Sequence, residues 1–465
     1  MTMESESGGQ GHNAEVAEPR SATVEAMEAS GADQREEPPL SLKGALLYSS
    51  GNIGGGVFYG FNNFILTLFL HTLHVPITLN DLLGSTRSFE GAIIQPLVGA
   101  WSDRTWRPPL GRRRPFILWF APVCALLLIA TPFVAQLTSL GRPFGLSADL
   151  TAIILATLCI FLFTLTFNIL FDPYQALLAD ITPERQRGSI NGVFTALGAG
   201  GQVAVLVAAI VLATLNHNNL PTTPLFIATA AALIVCFIPT MLGVREPRTL
   251  PGAADAHRFG WGDYARGLHD DPQVFLYFAT QFFLWFGINA ITPNLTYYAK
   301  DSLHFTDTEA LALNFTLLLS TALFVWPLGA LGDHIGLKRT FLLGMALMAG
   351  AAIAAVFIHA VAPLFIVLGI AGIGNAAQSA SSYPLLTRIT LPDRMGLYTG
   401  LNSTVTSIAA PGGALLSGVL ITSFGYSVFF PFVAAMFLIS LIPLAALRVE
   451  RSIAQRRKHG ELAPA

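Results

Sequence analysis

Apolar residues in this chain come in long blocks separated by short polar breaks. Twelve blocks are long enough, or nearly so, to cross about 30 Å of hydrocarbon at 1.5 Å per helical residue. They predict membrane helices over residues 43–70, 79–101, 115–136, 149–176, 189–214, 223–243, 271–298, 309–331, 340–360, 362–386, 397–421 and 426–447. The fold class this implies is an all-α membrane protein.

The breaks carry a second pattern. Alternate connections hold Arg104, Arg107 and Arg112 to Arg114, then Arg185 and Arg187, then Arg245, Arg248, Arg258 and Arg266. The same side continues with Lys338 and Arg339, then Arg388 and Arg394, and the tail from Arg448 to Lys458. On the opposite side Arg142 and Lys300 are the exceptions. Basic loops stay on the cytoplasmic side, so both termini are expected there.

Composition agrees with a bilayer setting. The chain is 53% hydrophobic and 12% charged, against about 25% charged in soluble domains, and its mean hydropathy is +0.57. A net charge of -2 gives no sign of a nucleic-acid partner. Cys124, Cys159 and Cys236 lie in apolar runs, which suggests neither disulfides nor a metal site. Residues 1–40 are rich in Glu, Ser, Gly and Ala and lack the apolar run of a secretory signal. They read as a disordered cytoplasmic tail.

Two internal echoes divide the rest. Gly99 and Asp103 of QPLVGAWSDR recur as Gly329 and Asp333 of PLGALGDHIG, with equal spacing. LLADITPERQRG (177–188) is echoed by LLTRITLPDRMG (385–396). The echoes follow the second and fourth helices of two six-helix halves, 41–244 and 271–448. A cytoplasmic linker (245–270) joins them, and a basic tail (449–465) comes last. Parallel six-helix repeats with a midplane site between them are a secondary-transporter architecture.

The turn GAWSDR…GRRRPF and its copy GALGDHIGLKR resemble the signature loop of the major facilitator superfamily. The longer run from Ile94 through Ser102-Asp103-Arg104 to Ile117, with Pro173 to Asp180, is similar to the sucrose:proton symporters and other glycoside-cation symporters. The resemblance implies a twelve-helix fold in two pseudo-symmetric bundles, with gating by Asp103, Arg104, Arg112, Arg113, Asp333, Lys338 and Arg339. Three positions depart from it. Gln175 stands where such symporters carry an arginine, and Thr164 where they tend to carry an acid. Ile77 comes after Pro76 where the plant proteins have a histidine, though His71 and His74 lie nearby.

Charges within spans are functional candidates because burying them is costly. Arg87 and Glu90 share a face of the second helix. Glu90 is the expected proton carrier with Arg87 tuning it, the alternative being a permanent packing pair. Asp172, before a Pro173 expected to break the fourth helix, is the second proton candidate, or a vestibule acid. On the first helix Asn52, Gly56, Tyr59 and Asn63 form one stripe that lines a sugar site or packs helices. Gln281, Trp285 and Asn289 offer an amide–indole–amide stripe on the seventh helix, near Pro293 and the Tyr297-Tyr298 pair. Gln175, Asn375, Gln378 (with Ser382) and Asn402 (with Thr406) are further substrate candidates, Asn and Gln also serving as interhelical glue.

The expected function is inward symport of a sugar, a glycoside or disaccharide of sucrose or maltose type, with a proton. No cofactor is needed, sodium is a possible coupling ion, and one chain suffices as a monomer in a cytoplasmic (inner or plasma) membrane. A facilitator or exporter of another small polar or amphipathic solute is the alternative within transport. A receptor that has lost turnover is the alternative outside it. An enzyme is not expected, since the spans hold no nucleophile–base or metal-ligand grouping. The run Gly372-Ile-Gly374-Asn-Ala-Ala377 fits a dinucleotide pattern but sits inside a membrane helix, which removes its meaning.

Overall fold

The structure, a computed structural model, describes residues 40–182, 184–246, 272–358, 360–390 and 395–449. Side chains of residues 85–93, 95, 96, 100, 103, 179, 184, 185, 187–189, 395–397 and 399 also lie outside the description. The expected N-terminal tail, almost all of the linker and almost all of the basic tail fall there too, as do the side chains of Arg87, Glu90 and Asp103.

The described residues form twelve long helical segments: α1 (Leu42–Thr72), α2 (Ile77–Arg104), α3 (Arg114–Phe144), α4 (Ala148–Ile181), α5 (Glu184–Leu215) and α6 (Thr222–Gly243). They continue as α7 (Pro272–Asp301), α8 (Asp307–Ile335), α9 (Leu337–Val356), α10 (Val361–Ile389), α11 (Met395–Phe424) and α12 (Phe429–Ala446). Each falls within a few residues of an expected span except at the end of α3, which runs on to Phe144 as a 3-10 helix from Thr131. Eleven are apolar enough to cross a membrane by composition alone. The other, α2, has the length but carries Asp81, Arg87, Glu90, Asp103 and Arg104.

Side chains that face outward from the helices are apolar: Trp326 is 82% exposed and Leu242 80%. Such a surface suits lipid and would aggregate in water. Inward-facing residues build two cores. One is drawn from α1–α6 around Phe58, Phe163, Phe167 and Phe226. The other is drawn from α7–α12 around Phe341, Met345, Phe429 and Phe437.

Small residues let the helices approach. In α1, a Cβ on Gly56 would sit 1.9 Å from the Gly198 carbonyl oxygen of α5, so the two backbones touch there. Gly201 meets the Ile53 carbonyl in the same way, at 2.3 Å. The second bundle repeats this device. Gly374 of α10 would meet the Gly344 carbonyl of α9 at 2.7 Å, and Gly372 the Leu317 carbonyl of α8 at 2.6 Å. Backbone packing is therefore what the dinucleotide-like glycines do.

Gly200, beside Gly201, has open space around it. Gly201→Ala is expected to cost about 1–3 kcal/mol by overpacking. Gly200→Ala is expected to be neutral or to stabilise by up to about 1 kcal/mol through helix propensity. Thermal unfolding of the two variants in detergent, monitored by intrinsic fluorescence, checks the contrast.

Two local expectations change. Helix α4 runs unbroken through Pro173. The long helix is held on both sides, and the ring removes only one backbone donor, the one that would have served Ile169 four residues earlier. In α1, residues Phe61–Ile65 form a π turn. Its extra residue rotates the remainder of α1 by roughly 100° relative to a straight α-helix. Asn63 therefore leaves the stripe that a regular helix would have given it.

The connections 73–76, 216–221 and 302–306 lie at one end of the molecule, here the short-loop end, and the basic loop 105–113 lies at the other. Described hydrogen bonds between the bundles cluster at the short-loop end. His71 of α1 meets Asp301 of α7 at 2.8 Å, and Tyr297 Oη donates to the Val75 carbonyl at 3.3 Å. Leu220 N donates to Asp307 Oδ2 at 2.7 Å, and Asp307 N to the Asn218 carbonyl at 3.2 Å. Helix α2 packs along α11 and α5 along α8.

Candidate transport site and gates

The substrate candidates fall into two groups. Asn52 is buried and donates from Nδ2 to the Phe194 carbonyl of α5 at 2.7 Å, against Gly198. It holds the α1–α5 seam. Gln281 is buried and donates from Nε2 to Tyr277 Oη at 2.5 Å and to Ser382 Oγ of α10. Asn375 donates to Thr321 Oγ1 of α8 at 3.2 Å, and Gln378 is buried with Oε1 accepting from Ser379 at 3.1 Å. Interhelical or local bonds thus engage these amides, although the buried Gln281 Oε1 has no partner among the described residues, and Asn375 and Thr292 also line an otherwise apolar cavity in the second bundle.

The other group is half-buried. Tyr59 stands edge-on to Phe167 and Phe171 of α4, with centroids at 5.3 and 5.4 Å. Trp285 and Asn289 lie further along α7, Asn289 bonding back to the Trp285 carbonyl at 2.8 Å. Asn63 and Asn402 are half-buried too, and the Asn402 Oδ1 is enclosed with no partner among the described residues. An aromatic face with amide groups nearby suits a sugar, which presents C–H faces and hydroxyl edges together. Gln175 is exposed, and Thr164 is fully buried with its hydroxyl bonded back to Ile160. Asp172 is half-buried.

Of the arginines expected to gate, Arg112 and Arg113 are anchored inside their own bundle. Arg112 reaches Asp180 Oδ1 of α4 at 2.7 Å, and Arg113 Nε reaches Oδ2 at 3.0 Å. Arg113 also bonds Ser102 Oγ of α2. Both guanidinium groups are largely shielded, and one carboxylate facing two cations provides charge-assisted bonds on both its oxygens. Glu246 holds the loop from beneath. Its carboxylate accepts the backbone N–H of Arg112 at 2.6 Å and those of Arg113 and Arg114 at 3.0 Å each. It therefore caps the N-terminus of α3, where a negative charge is favoured. In the second bundle Lys338 donates to the Ala445 and Leu447 carbonyls at the end of α12, at 2.8 and 2.6 Å. Arg104, Asp333 and Arg339 are exposed.

Three acids with clear partners escape a reading of the sequence as candidates. Asp180 appears there only as part of a motif, and Glu246 only as the edge of a linker. Asp81 is fully buried on α2, where Asn294 Nδ2 of α7 donates to its Oδ2 at 3.1 Å. Asn294 also touches Ser417 Oγ of α11 at 3.3 Å. Asp81 lies inside the expected span 79–101, near its start, and what marks it out is burial against α7 and α11.

Twelve helices in two packed bundles, with buried polar groups where the bundles meet, define a membrane transporter of the major facilitator fold. Solved structures of other transporters share that fold, among them two that cover most of this chain. A bacterial homologue of the iron transporter ferroportin, in an inward-facing state, superposes with a TM-score of 0.65 at 14% identity, over 88% of this chain and 99% of that one. A bacterial homologue of the human lysosomal transporter Spinster superposes with a TM-score of 0.58 at 14% identity, over 90% and 97%.

The profile of the MFS/sugar transport protein family matches residues 47–441, and the chain belongs to that family. Among curated relatives, the sucrose transport protein SUT1 of Oryza sativa subsp. japonica is 28% identical over 176 residues, 36% of this chain and 32% of that protein. SUT2 of Oryza sativa subsp. indica is 30% identical over 208 residues, 40% of each chain. The matched stretch spans about a third of the length of the first relatives. Family and fold are those of multi-pass membrane transporters.

Proposed function

We propose that this protein is a secondary active transporter that carries a sugar, a glycoside or disaccharide of sucrose or maltose type, together with a proton. Bundles 41–244 and 271–448 rock about a site between them, linked through residues 245–270, with both termini in the cytoplasm of a cell's inner or plasma membrane. The observation that carries the reading is the sugar-transporter family match over two bundles that are tied together at the short-loop end. With basic loops inside, that end faces outward, so this structure corresponds to an inward-facing state. Tyr59, Trp285, Asn289 and Asn402 are the substrate contacts of first choice. Glu90 with Arg87 carries the proton, and Asp172 is the reserve.

Uncoupled facilitation is the second reading, favoured by Thr164, whose hydroxyl is tied to its own helix where such symporters tend to carry an acid. Proteoliposomes given labelled sucrose or maltose, with and without an inward proton gradient, test both. Accumulation above the outside concentration supports symport, equilibration alone supports facilitation, and uptake of neither sugar overturns the substrate class. Replacing the proton gradient by a sodium gradient identifies the ion. Trp285→Ala is expected to raise KM about tenfold, the loss of a stacking contact worth about 1.5 kcal/mol, while leaving the gradient requirement intact.

A further inference from the structure

At the short-loop end the seam between the bundles closes over one carboxyl group. Asp81 is 0% exposed, as is Asn294, whose amide donates to it across the seam. Ser417 is 1% exposed and completes the contact from α11. Asn80 Nδ2 approaches the other carboxyl oxygen at 3.5 Å. The group is tightly held on the α11 side. A Cβ on Gly418 would sit 2.1 Å from Asp81 Oδ2, so α11 presses its backbone against the carboxyl. A hydrated metal ion does not fit at this contact, whereas a proton needs no space.

We propose that Asp81 is a proton-binding site that senses the pH of the outer solution and sets how readily the outer gate opens. The inference rests on the alternating-access reading above and is independent of the substrate. If the bundles part at this end, α2 leaves α7 and α11, and the carboxyl passes from a dry seam into water. Water stabilises the ionised form, and the described partners in the closed seam are the neutral amides of Asn294 and Asn80. The two states therefore bind the proton unequally. The closed state keeps it, and the open state returns it to the outer solution. The proton enters and leaves on the same side, so this site moves no net charge and is separate from the carrier at Glu90 or Asp172.

Other titratable groups face the same seam. His71 of α1 pairs with Asp301 of α7, and Tyr426, just before α12, donates to the other oxygen of Asp301 at 2.6 Å. Tyr297 and Tyr426 are also within electrostatic reach of Asp81. The His71–Asp301 pair is partly exposed, with side chains 29% and 40% accessible. It is the competing source of any pH response and needs its own control.

The test is a distance measurement without substrate. With Cys124, Cys159 and Cys236 replaced, spin labels at His74 and Ser427 (both exposed, one on each bundle) report the outer gate in nanodiscs. The separated population is expected to rise between pH 5 and pH 8, by at most tenfold per pH unit for one proton. Asp81→Asn is expected to flatten that response, and His71→Gln to keep it. Asn294→Ala removes a donor that favours the ionised group in the closed seam, and is expected to carry the rise on to higher pH and to a larger separated population at its upper end. It serves as the test should Asp81→Asn not fold. A wild type without a pH response, an Asp81→Asn protein with the wild-type response, or an unmoved transition in Asn294→Ala overturns the proposal. Failure of sugar uptake leaves these distances unaffected.

Discussion

Asp180→Asn is expected to cost about 3–5 kcal/mol and to remove most of the folded protein from membranes. The carboxylate is 15% exposed and holds two guanidinium groups that are each 9% exposed. Removing one partner of a buried ion pair leaves the other charge uncompensated, and that is the expensive outcome. Here two guanidinium groups lose a shared carboxylate at once. The neutral amide still offers one acceptor oxygen, but not the two ionised ones that Arg112 and Arg113 use. Fluorescence-detected size exclusion on wild type, Asp180→Asn and Asp180→Glu measures the loss. Partial recovery in the glutamate variant is expected, because it restores the charge at the cost of one methylene in a tight site. Normal yield and unfolding temperature for Asp180→Asn would mean that the carboxylate serves gating alone.

The same residue shows where a sequence stops being readable. The twelve spans were legible because a bilayer demands long apolar runs, and few other structures satisfy that demand. Asp180 and Glu246 were not legible as partners. They meet the arginine loop from 67 and about 134 positions away, and no local period connects them. Small polar stripes fail for another reason. A glycine-rich face serves a helix seam and a ligand equally well, so Asn52, Gly56 and Tyr59 read alike in sequence. Packing separates them: Asn52 and Gly56 meet α5, and Tyr59 stays half-buried beside the α4 rings. The π turn at Phe61–Ile65 has no periodic signature, and Asn63 was displaced from the stripe by it. Asp81 lies near the start of its span, where an acid is ordinary, and its partner Asn294 is 213 positions away, so nothing local marks it as buried.

The remaining large effect concerns coupling. Glu90→Gln is expected to abolish proton-driven accumulation of sugar while leaving exchange of sugar across the membrane intact. Glutamine keeps the size of the side chain and its acceptor oxygen but cannot take up a proton at any accessible pH. A gradient of two pH units holds about 2.7 kcal/mol per proton, enough for roughly 100-fold accumulation with one proton per sugar. Losing the carrier removes that drive and leaves only equilibration. Exchange of external labelled sugar for internal unlabelled sugar needs the site and the rocking motion but no net proton movement, so it is expected to survive. Asp172→Asn and Asp81→Asn, measured beside it, divide the roles. A carrier loses accumulation and keeps exchange, whereas a gate residue changes the rates of both and keeps the final ratio. If Glu90→Gln accumulates sugar to the wild-type ratio and Asp172→Asn does not, the proton travels on α4 and the Arg87–Glu90 pair serves helix packing.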